Sequence, residues 1–349
     1  MSIYIHMQAA VDIVAQSPHP TNKIAATIAG DGWAFSRTNH WPAAIETTIG
    51  RDTDIGNSSG TIHAETACIF AAYAARHATR GASIFITDPP CPNCMKNIAE
   101  AGITKLYIDH KGFDKDWAKR RSDQFENMSL RIAAKAAIDV YVIYRKEQRF
   151  EIISKHAPNY KPAESHPPII HPLKPSSHGS SVQASNTSTR LDHTDKPCDD
   201  ENWKLLINKA TTEYKNEPFA TALATNQSGE TIAITATLHP TIGYTPQDPL
   251  DKEGKYSFIL QPLNRLLMIA AREGLSLSPN HIYSSRCPSS RELINFIGAG
   301  FTTLQIGNKQ KARDQHGLLA LEQLEENKTL NVIPSEVEGS NPLSDSPTR

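Results

Sequence analysis

Ser83-Ile84-Phe85-Ile86-Thr87-Asp88-Pro89-Pro90-Cys91-Pro92-Asn93-Cys94-Met95-Lys96-Asn97-Ile98-Ala99-Glu100-Ala101, followed by the apolar run that begins at Leu106, decides the fold of this chain. Residues 83–87 read as a buried strand. Pro92 suits the first position of a helix, which is expected to run to Ala101 before a further strand over 106–109. Upstream, the pattern predicts a helix over 5–16, strands near 24–28 and 33–36, and then a long polar loop over 43–61. Ala67, Ala71, Ala74 and Ala75 recur at helical spacing and predict a helix from His63 to His77. Downstream come a charged amphipathic helix over 116–136 and a strand over 140–143. Alternating strands and helices imply an α/β, three-layer α-β-α architecture around a mixed, parallel-rich five-stranded sheet.

With 349 residues the chain is long enough for two domains, each with its own core. Lys+Arg (36) and Asp+Glu (37) nearly cancel, giving a formal net charge of −1. No basic field marks a nucleic-acid partner. Residues 1–155 hold 18 basic and 16 acidic side chains, and the cluster Lys119-Arg120-Arg121 is followed closely by Asp123. Five cysteines, an odd number without regular spacing, fit a reducing compartment better than a disulfide framework. Residues 1–16 lack a basic n-region, and no apolar run approaches the roughly 20 residues that span a bilayer. A cytoplasmic protein with no membrane partner is therefore expected.

Pro, Ser, His, Thr and Asn dominate residues 156–200, and so few apolar side chains cannot offset the entropy of ordering. The expected organisation is a first domain over 1–155, a flexible linker over 156–200, a second domain over 201–330 and a disordered tail over 331–349. Adding 198 to the numbers of Ile84, Pro90, Asn97, Ala101, Gly102, Thr104, Leu106 and Ile108 returns the same residue type each time, from Ile282 to Ile306. Thr27 and Pro42 match Thr225 and Pro240 at the same offset. The fold is thus expected twice, by internal duplication.

Chemistry concentrates in two short segments, His63-Ala64-Glu65 and Pro90-Cys91-Pro92-Asn93-Cys94. One histidine and two thiolates hold Zn²⁺ with a fourth position left for water, and a carboxylate two residues from the histidine can move that water's protons. His63, Cys91 and Cys94 are the expected ligands, Zn²⁺ the cofactor and Glu65 the catalytic acid–base group. Competing readings are a Cys-x-x-Cys redox pair, which has no need of a His-x-Glu helix one strand earlier, and a structural zinc site. The latter needs a fourth ligand, for which Cys68 is available, although Cys68 is more simply a small buried apolar residue. At the offset of 198, His63, Glu65, Cys91 and Cys94 fall on Gln261, Leu263, Ser289 and Glu292, so the second copy is expected to lack zinc ligands.

These motifs resemble the cytidine and deoxycytidylate deaminase superfamily, whose signature is H-x-E followed by P-C-x-x-C. Residues 90–103 look closest to its deoxycytidylate branch, and the resemblance covers roughly residues 5–143. It implies a cytidine-deaminase-like fold and zinc-dependent hydrolytic deamination of a cytosine nucleotide, dCMP to dUMP with release of ammonia. It also implies substrate contacts at Asn39 and Ala64. The family segment reads Asn-Gly-x-Pro where this chain has Asn39-His40-Trp41-Pro42, so His40 replaces a glycine. Lys23, Arg37 and Arg51 are candidate phosphate contacts.

The rival readings are deamination of another amino-substituted ring (a riboflavin-precursor pyrimidine, guanine or tRNA adenosine) and, from another class, a regulatory or interaction role for the degenerate copy. The expected partner is a small-molecule nucleotide. Either a homo-oligomer or a pseudo-dimer within the chain would supply the pairing common in the superfamily.

Overall fold

The computed structural model describes residues 2–165, 167–173, 200–245, 247–248 and 257–334. In the first domain the elements are α1 (Ile3–Ile13), β1 (Ala25–Gly30), β2 (Trp33–Thr38), α2 (Ala43–Thr48), α3 (Ala64–Ala74), β3 (Ser83–Ile86), α4 (Pro92–Glu100), β4 (Lys105–Asp109), α5 (Asp116–Lys119), α6 (Ser122–Gln124), α7 (Leu130–Lys135), β5 (Asp139–Tyr144) and β6 (Arg149–Ser154). The sheet order is β2-β1-β3-β4-β5-β6. Its centre, β3-β4-β5, is parallel, and the remaining pairs are antiparallel. Met7 of α1 packs with Ala29, Phe85, Tyr107, Tyr141 and Ile143 on one face. On the other, α3, α4 and α7 bury Ala67, Ile69, Ile98 and Ile132 against Ile28, Ile84, Leu106 and Val140. Residues alternating along each strand thereby serve two apolar layers.

The second domain contains β7 (Ile169–Pro172), α8 (Asp200–Glu213), β8 (Phe219–Thr225), β9 (Thr231–Thr237), β10 (His239–Pro240), β11 (Ile259–Leu260), α9 (Pro262–Glu273), β12 (Ser276–Cys287), α10 (Ser290–Gly298), β13 (Thr303–Ala312), α11 (Gln315–Glu326) and β14 (Asn331–Pro334). Its main sheet runs β14-β13-β12-β8-β9-β7. Five of these strands repeat the first sheet in order and direction, with β12-β13-β14 parallel. The same five-stranded arrangement, the duplication expected from the offset, is therefore present twice. Each copy adds a sixth strand to the expected five: β6 beside β5 in the first, and β7 beside β9, at the opposite edge, in the second. Among the described residues no helix is long and apolar enough to cross a membrane.

One apolar core joins the copies, because α3 and α4 pack against α9 and α10. Across this seam a chain of amides runs from Thr66 through Asn97 and Asn264 to Asn295, with Asn97 Nδ2 donating to Thr66 Oγ1 (3.1 Å) and Asn295 Nδ2 to Asn264 Oδ1 (2.7 Å). Arg265 Nε meets Glu100 Oε1 at 2.9 Å, both side chains buried. Thr66 and Asn264, like Asn97 and Asn295, are 198 apart, so the relay crosses a pseudo-two-fold between the copies.

Several expectations need correction. Residues 169–172, read as linker, form β7, where Ile169 and Ile170 supply apolar side chains to an edge pairing. Residues 331–334, read as tail, form β14, the last parallel strand of the second sheet. Of the rest of the supposed linker, residues 156–165, 167–168 and 173 are described outside regular structure, with Tyr160 and Glu164 bonded to Lys135 and Arg272, and Asp200 opens α8; residues 166, 174–199 and 335–349 lie outside the described residues. The single helix over 116–136 is broken into α5, α6, a π-helical turn at Phe125–Ser129 and α7. The polar loop over 43–61 contains α2.

The offset of 198 holds from the segment just before α3 (Ile62 and Leu260 close equivalent bridges) to β4, but not further upstream. Thr27 pairs with Phe85, whereas Tyr283, the counterpart of Phe85, pairs with Thr221 rather than Thr225. Side chains agree: Thr27 hydrogen-bonds Ser36 at 2.8 Å and Thr221 hydrogen-bonds Thr235 at 2.9 Å across equivalent hairpins. The match of Thr27 with Thr225 is therefore a coincidence of residue type, as is that of Pro42 with Pro240, since His40 and His239 occupy equivalent bridges.

Candidate active site

Two helix N-termini converge to make the site. His63 is the N-cap of α3 (φ −77°, ψ 150°) and Cys91 the N-cap of α4 (φ −71°, ψ 161°). Pro92 at the first position of α4 brings the right φ and lacks an N–H that would have no helical partner there. Cys94 follows in the same first turn. His63 Nδ1 lies 3.1 Å from Cys94 Sγ and 3.7 Å from Cys91 Sγ. Tetrahedral ligands at 2.0–2.3 Å from zinc stand roughly 3.5 Å from one another, so these atoms have the spacing of a ligand set.

Among the described residues the one group of at least three His, Cys, Asp or Glu side chains placed to hold a metal is His63, Cys91 and Cys94, with ligand atoms within 4.8 Å of one another. Its donor set is the one that zinc prefers with a position left open. Cys68 is not part of it: its thiol donates to Ala26 O at 3.1 Å, and burial pushes its pKa up to about 12. That removes the fourth ligand of the structural-zinc reading. The Cys91 thiol is held well below its ordinary range, first by a hydrogen bond from Cys94 and then by His63. The N-terminus of α4 favours thiolate in the same sense.

Glu65 stands in the first turn of α3, 3 % exposed. Burial drives its pKa up to about 7 against the opposing pull of His63. A carboxyl group so balanced both takes and gives a proton near neutrality. Ala64, between ligand and acid, is fully buried. Asn39 is buried as well and largely engaged: Oδ1 accepts from Ser17 Oγ (2.7 Å) and from Ile24 N (2.9 Å), while Nδ2 donates to Asn22 O (2.8 Å). It ties the loop before β1 to the end of β2, and its second amide proton is the group left for a ligand.

Beside Cys91 opens a cavity of about 350 Å³ lined by Pro89, Pro90, Phe113, Trp117, Gln124 and Phe125. Trp117 Nε1 and Gln124 Oε1, a donor and an acceptor in that lining, are buried without partners. The Pro89-Pro90 loop is held at both ends. Lys115 Nζ sits 2.7 Å from the buried Asp88 carboxylate, and Ser129 Oγ, from the π-helical turn, donates to Pro90 O at 3.0 Å. Sequence reading missed Asp88, Lys115, Trp117 and Ser129. Of the candidate phosphate contacts, Arg51 pairs with Glu46, Arg37 donates to Ser36 O, and Lys23 reaches Ala15 O at 3.2 Å beside a smaller cleft that Lys115 and Trp117 also line.

The equivalent place in the second domain is filled by a carboxylate. Ser289, at the position of Cys91, is the N-cap of α10, and Glu292, at the position of Cys94, closes a capping box on it. Glu292 accepts from Ser289 N (2.8 Å), Ser289 Oγ (2.8 Å) and, across the seam of the dead site, Leu263 N at the start of α9 (3.0 Å). Two helix N-termini that present a metal-ligand set in one copy are joined by an anion in the other. Asn39 has also gone: its counterpart next to His239 is Leu238.

Residues 3–110 match the family described as the cytidine and deoxycytidylate deaminase zinc-binding region. Among solved structures, the chain is similar to the dCMP deaminase of the cyanophage S-TIM5 in complex with dCMP and dUMP, at 21 % identity over 41 % of this chain and 99 % of that one, TM-score 0.32. The apo form of the same phage enzyme gives 22 % identity over 41 % and 100 %, TM-score 0.30. No curated protein matches the chain.

Proposed function

For a chain whose first domain belongs to the cytidine and deoxycytidylate deaminase family, a family of zinc-dependent hydrolases, we propose that the substrate is a free cytosine nucleotide, most simply dCMP, converted to dUMP and ammonia. The observation that carries this reading is the convergence of His63 Nδ1 and the thiols of Cys91 and Cys94 on one point beside a buried carboxyl, Glu65.

His63, Cys91 and Cys94 would hold zinc, whose Lewis acidity would bring the pKa of a water close to neutrality. The protein's own part is positional and protonic. Glu65 would take a proton from the attacking water at one carboxyl oxygen and deliver it to the ring nitrogen next to the amino-bearing carbon; it would then take the second proton from the oxygen newly bonded to that carbon and deliver it to the amine, which leaves as ammonia when the C–N bond breaks. Its burial keeps bulk water from short-circuiting that transfer. Phe113, Trp117 and Pro90 line a cavity that reaches the site at Cys91, and their flat apolar surfaces suit a planar ring, while His63 and Glu65 stand outside that lining. Asn39 holds the loop that borders the site and keeps one amide proton for the sugar. Near-neutral charge in residues 1–155 supports a small substrate over a polynucleotide.

Ammonia release from purified full-length protein with dCMP, CMP, cytidine, dCTP, guanine and tRNA tests the proposal beside Glu65→Gln. Release with dCMP that falls by at least ~100-fold in the variant supports it. Equal activity in the variant refutes the role of Glu65. Activity on guanine or tRNA alone refutes the substrate.

A further inference from the structure

The second domain grips the segment of the first that leads into His63. Arg291, on α10, donates from one guanidinium nitrogen to Thr61 O at 2.6 Å and from the other to Ser59 O at 3.3 Å. Its neighbour Ser290 donates to Gly56 O at 2.8 Å, and Gln323 of α11 donates to Asp54 O at 3.1 Å. Gly56 itself (φ +49°) lies so close to the second domain that a Cβ there would stand 2.1 Å from His316 O. Only glycine allows that approach. Four contacts from the silent copy thus fall between residues 54 and 61, the last of them two residues before a metal ligand.

Symmetry sharpens the point. Thr61 and Ile259 are 198 apart, each two residues before the N-cap of α3 or α9, and Lys96 of the first domain donates to Ile259 O at 2.9 Å. Each copy therefore places a side-chain nitrogen donor on the carbonyl two residues before the N-cap of the other copy's helix, α3 or α9. Arg291 is not the counterpart of Lys96, because position 291 corresponds to Asn93. The contact has been built separately on each side. In the second copy it serves a site with no ligands; in the first it serves one that must hold His63 Nδ1 within bonding reach of a metal.

We propose that Arg291 is a positioning residue of the zinc site: the degenerate domain acts as a built-in subunit that fixes residues 54–61 and so the orientation of His63. Backbone carbonyls fixed by a forked guanidinium leave the segment little freedom. Groups hydrogen-bonded directly to a metal ligand typically change metal retention or activity by about 10–100-fold when lost, and Arg291, which acts through the backbone two residues from His63, is expected at the low end of that range. The inference rests on His63, Cys91 and Cys94 being the zinc ligands and is independent of the nucleotide.

The test uses full-length protein loaded with zinc, and variants Arg291→Ala, Arg291→Lys and Tyr73→Phe. Tyr73 accepts a hydrogen bond from Leu277 N (3.0 Å) across the same domain seam at the far end of α3, so its loss reports a generic weakening of the seam. Zinc loss to excess chelator, kcat and KM for the accepted substrate, and thermal unfolding are measured for each. Arg291→Ala is expected to lose zinc about tenfold faster and to lose kcat by about tenfold with KM changed less than about threefold. Arg291→Lys should recover part of both, and Tyr73→Phe should retain zinc and kcat within about twofold of the parent. Zinc loss from Arg291→Ala at the parent rate overturns the proposal, as does equal zinc loss from Tyr73→Phe at matched stability. Should the parent bind zinc yet release no ammonia from dCMP, the proposed substrate fails while the chelator comparison still decides the role of Arg291.

Discussion

Truncating Glu292 to alanine removes the acceptor that joins the N-termini of α9 and α10. Ser289 N, Ser289 Oγ and Leu263 N, at 2.8, 2.8 and 3.0 Å, lose their partner in an interior position where Glu292 is 4 % exposed. The hydroxyl can turn to another acceptor, but the backbone N–H groups of Ser289 and Leu263 cannot, and the longer bond from Asn264 N (3.4 Å) is lost as well. Each such orphan costs about 1–3 kcal/mol. Loss of the anion from two helix N-termini adds about 0.5–1 kcal/mol. Against this, the carboxylate itself is strained by burial, which raises its pKa, and that penalty is relieved. A net loss of about 2–5 kcal/mol follows. Glu292→Gln keeps one acceptor oxygen and should cost about half as much. Urea unfolding of the full-length chain, followed by tryptophan fluorescence and far-UV dichroism, measures both. An alanine variant within about 0.5 kcal/mol of the parent would refute the view that this carboxylate replaces a metal as the staple of the second domain.

Because the folded pKa of Glu65, about 7, is above its ordinary value of 4.5, the metal-free protein binds a proton there that the unfolded chain releases. Its stability should therefore fall as pH rises from 4.5 towards 7, and Glu65→Gln should flatten that slope in unfolding titrations of the metal-free protein. Removing Arg265 alone leaves Glu100 charged and buried in the seam, and Arg265→Ala should destabilise by about 3–5 kcal/mol in the same assay. Replacing Gln261 by His, Ser289 by Cys and Glu292 by Cys restores three ligand types at the N-caps and first turn where the first copy has them. The triple variant should gain about one further zinc per chain by elemental analysis.

The fold was legible where local chemistry and burial agree. Pro92 announces the start of α4, the spaced alanines announce α3, and β3, β4 and β5 are short apolar runs buried on both faces. Three kinds of feature escaped. Edge strands β6 and β7 carry Arg149, Glu151, His171 and Pro172 among a few apolar residues, because an edge needs little burial and tolerates charge and proline. The shifted register upstream of α3 was hidden by a chance threonine. In the second hairpin, the loop between β8 and β9 is longer than that between β1 and β2, and no identity marks where the extra residues enter.

The site divides in the same way. His63, Glu65, Cys91 and Cys94 declare themselves because zinc chemistry restricts residue type and order. Arg291, Ser290 and Gln323 stay silent because their partners are backbone carbonyls, which any sequence supplies. Glu292 was visible as the loss of a thiol at the position of Cys94. Its gain as a staple between two helices appears only once α9 and α10 are set side by side. Asn39 was read as a sugar contact, yet its amide is first a tie between Ser17, Asn22 and Ile24.

Zinc content per chain tests the account most directly, since it rests on one intact ligand set and one replaced by a capping carboxylate. Elemental analysis of purified full-length protein should give about one zinc per chain, and Cys91→Ser should lose it. Two zincs per parent chain, or one zinc retained undiminished by Cys91→Ser, would contradict it.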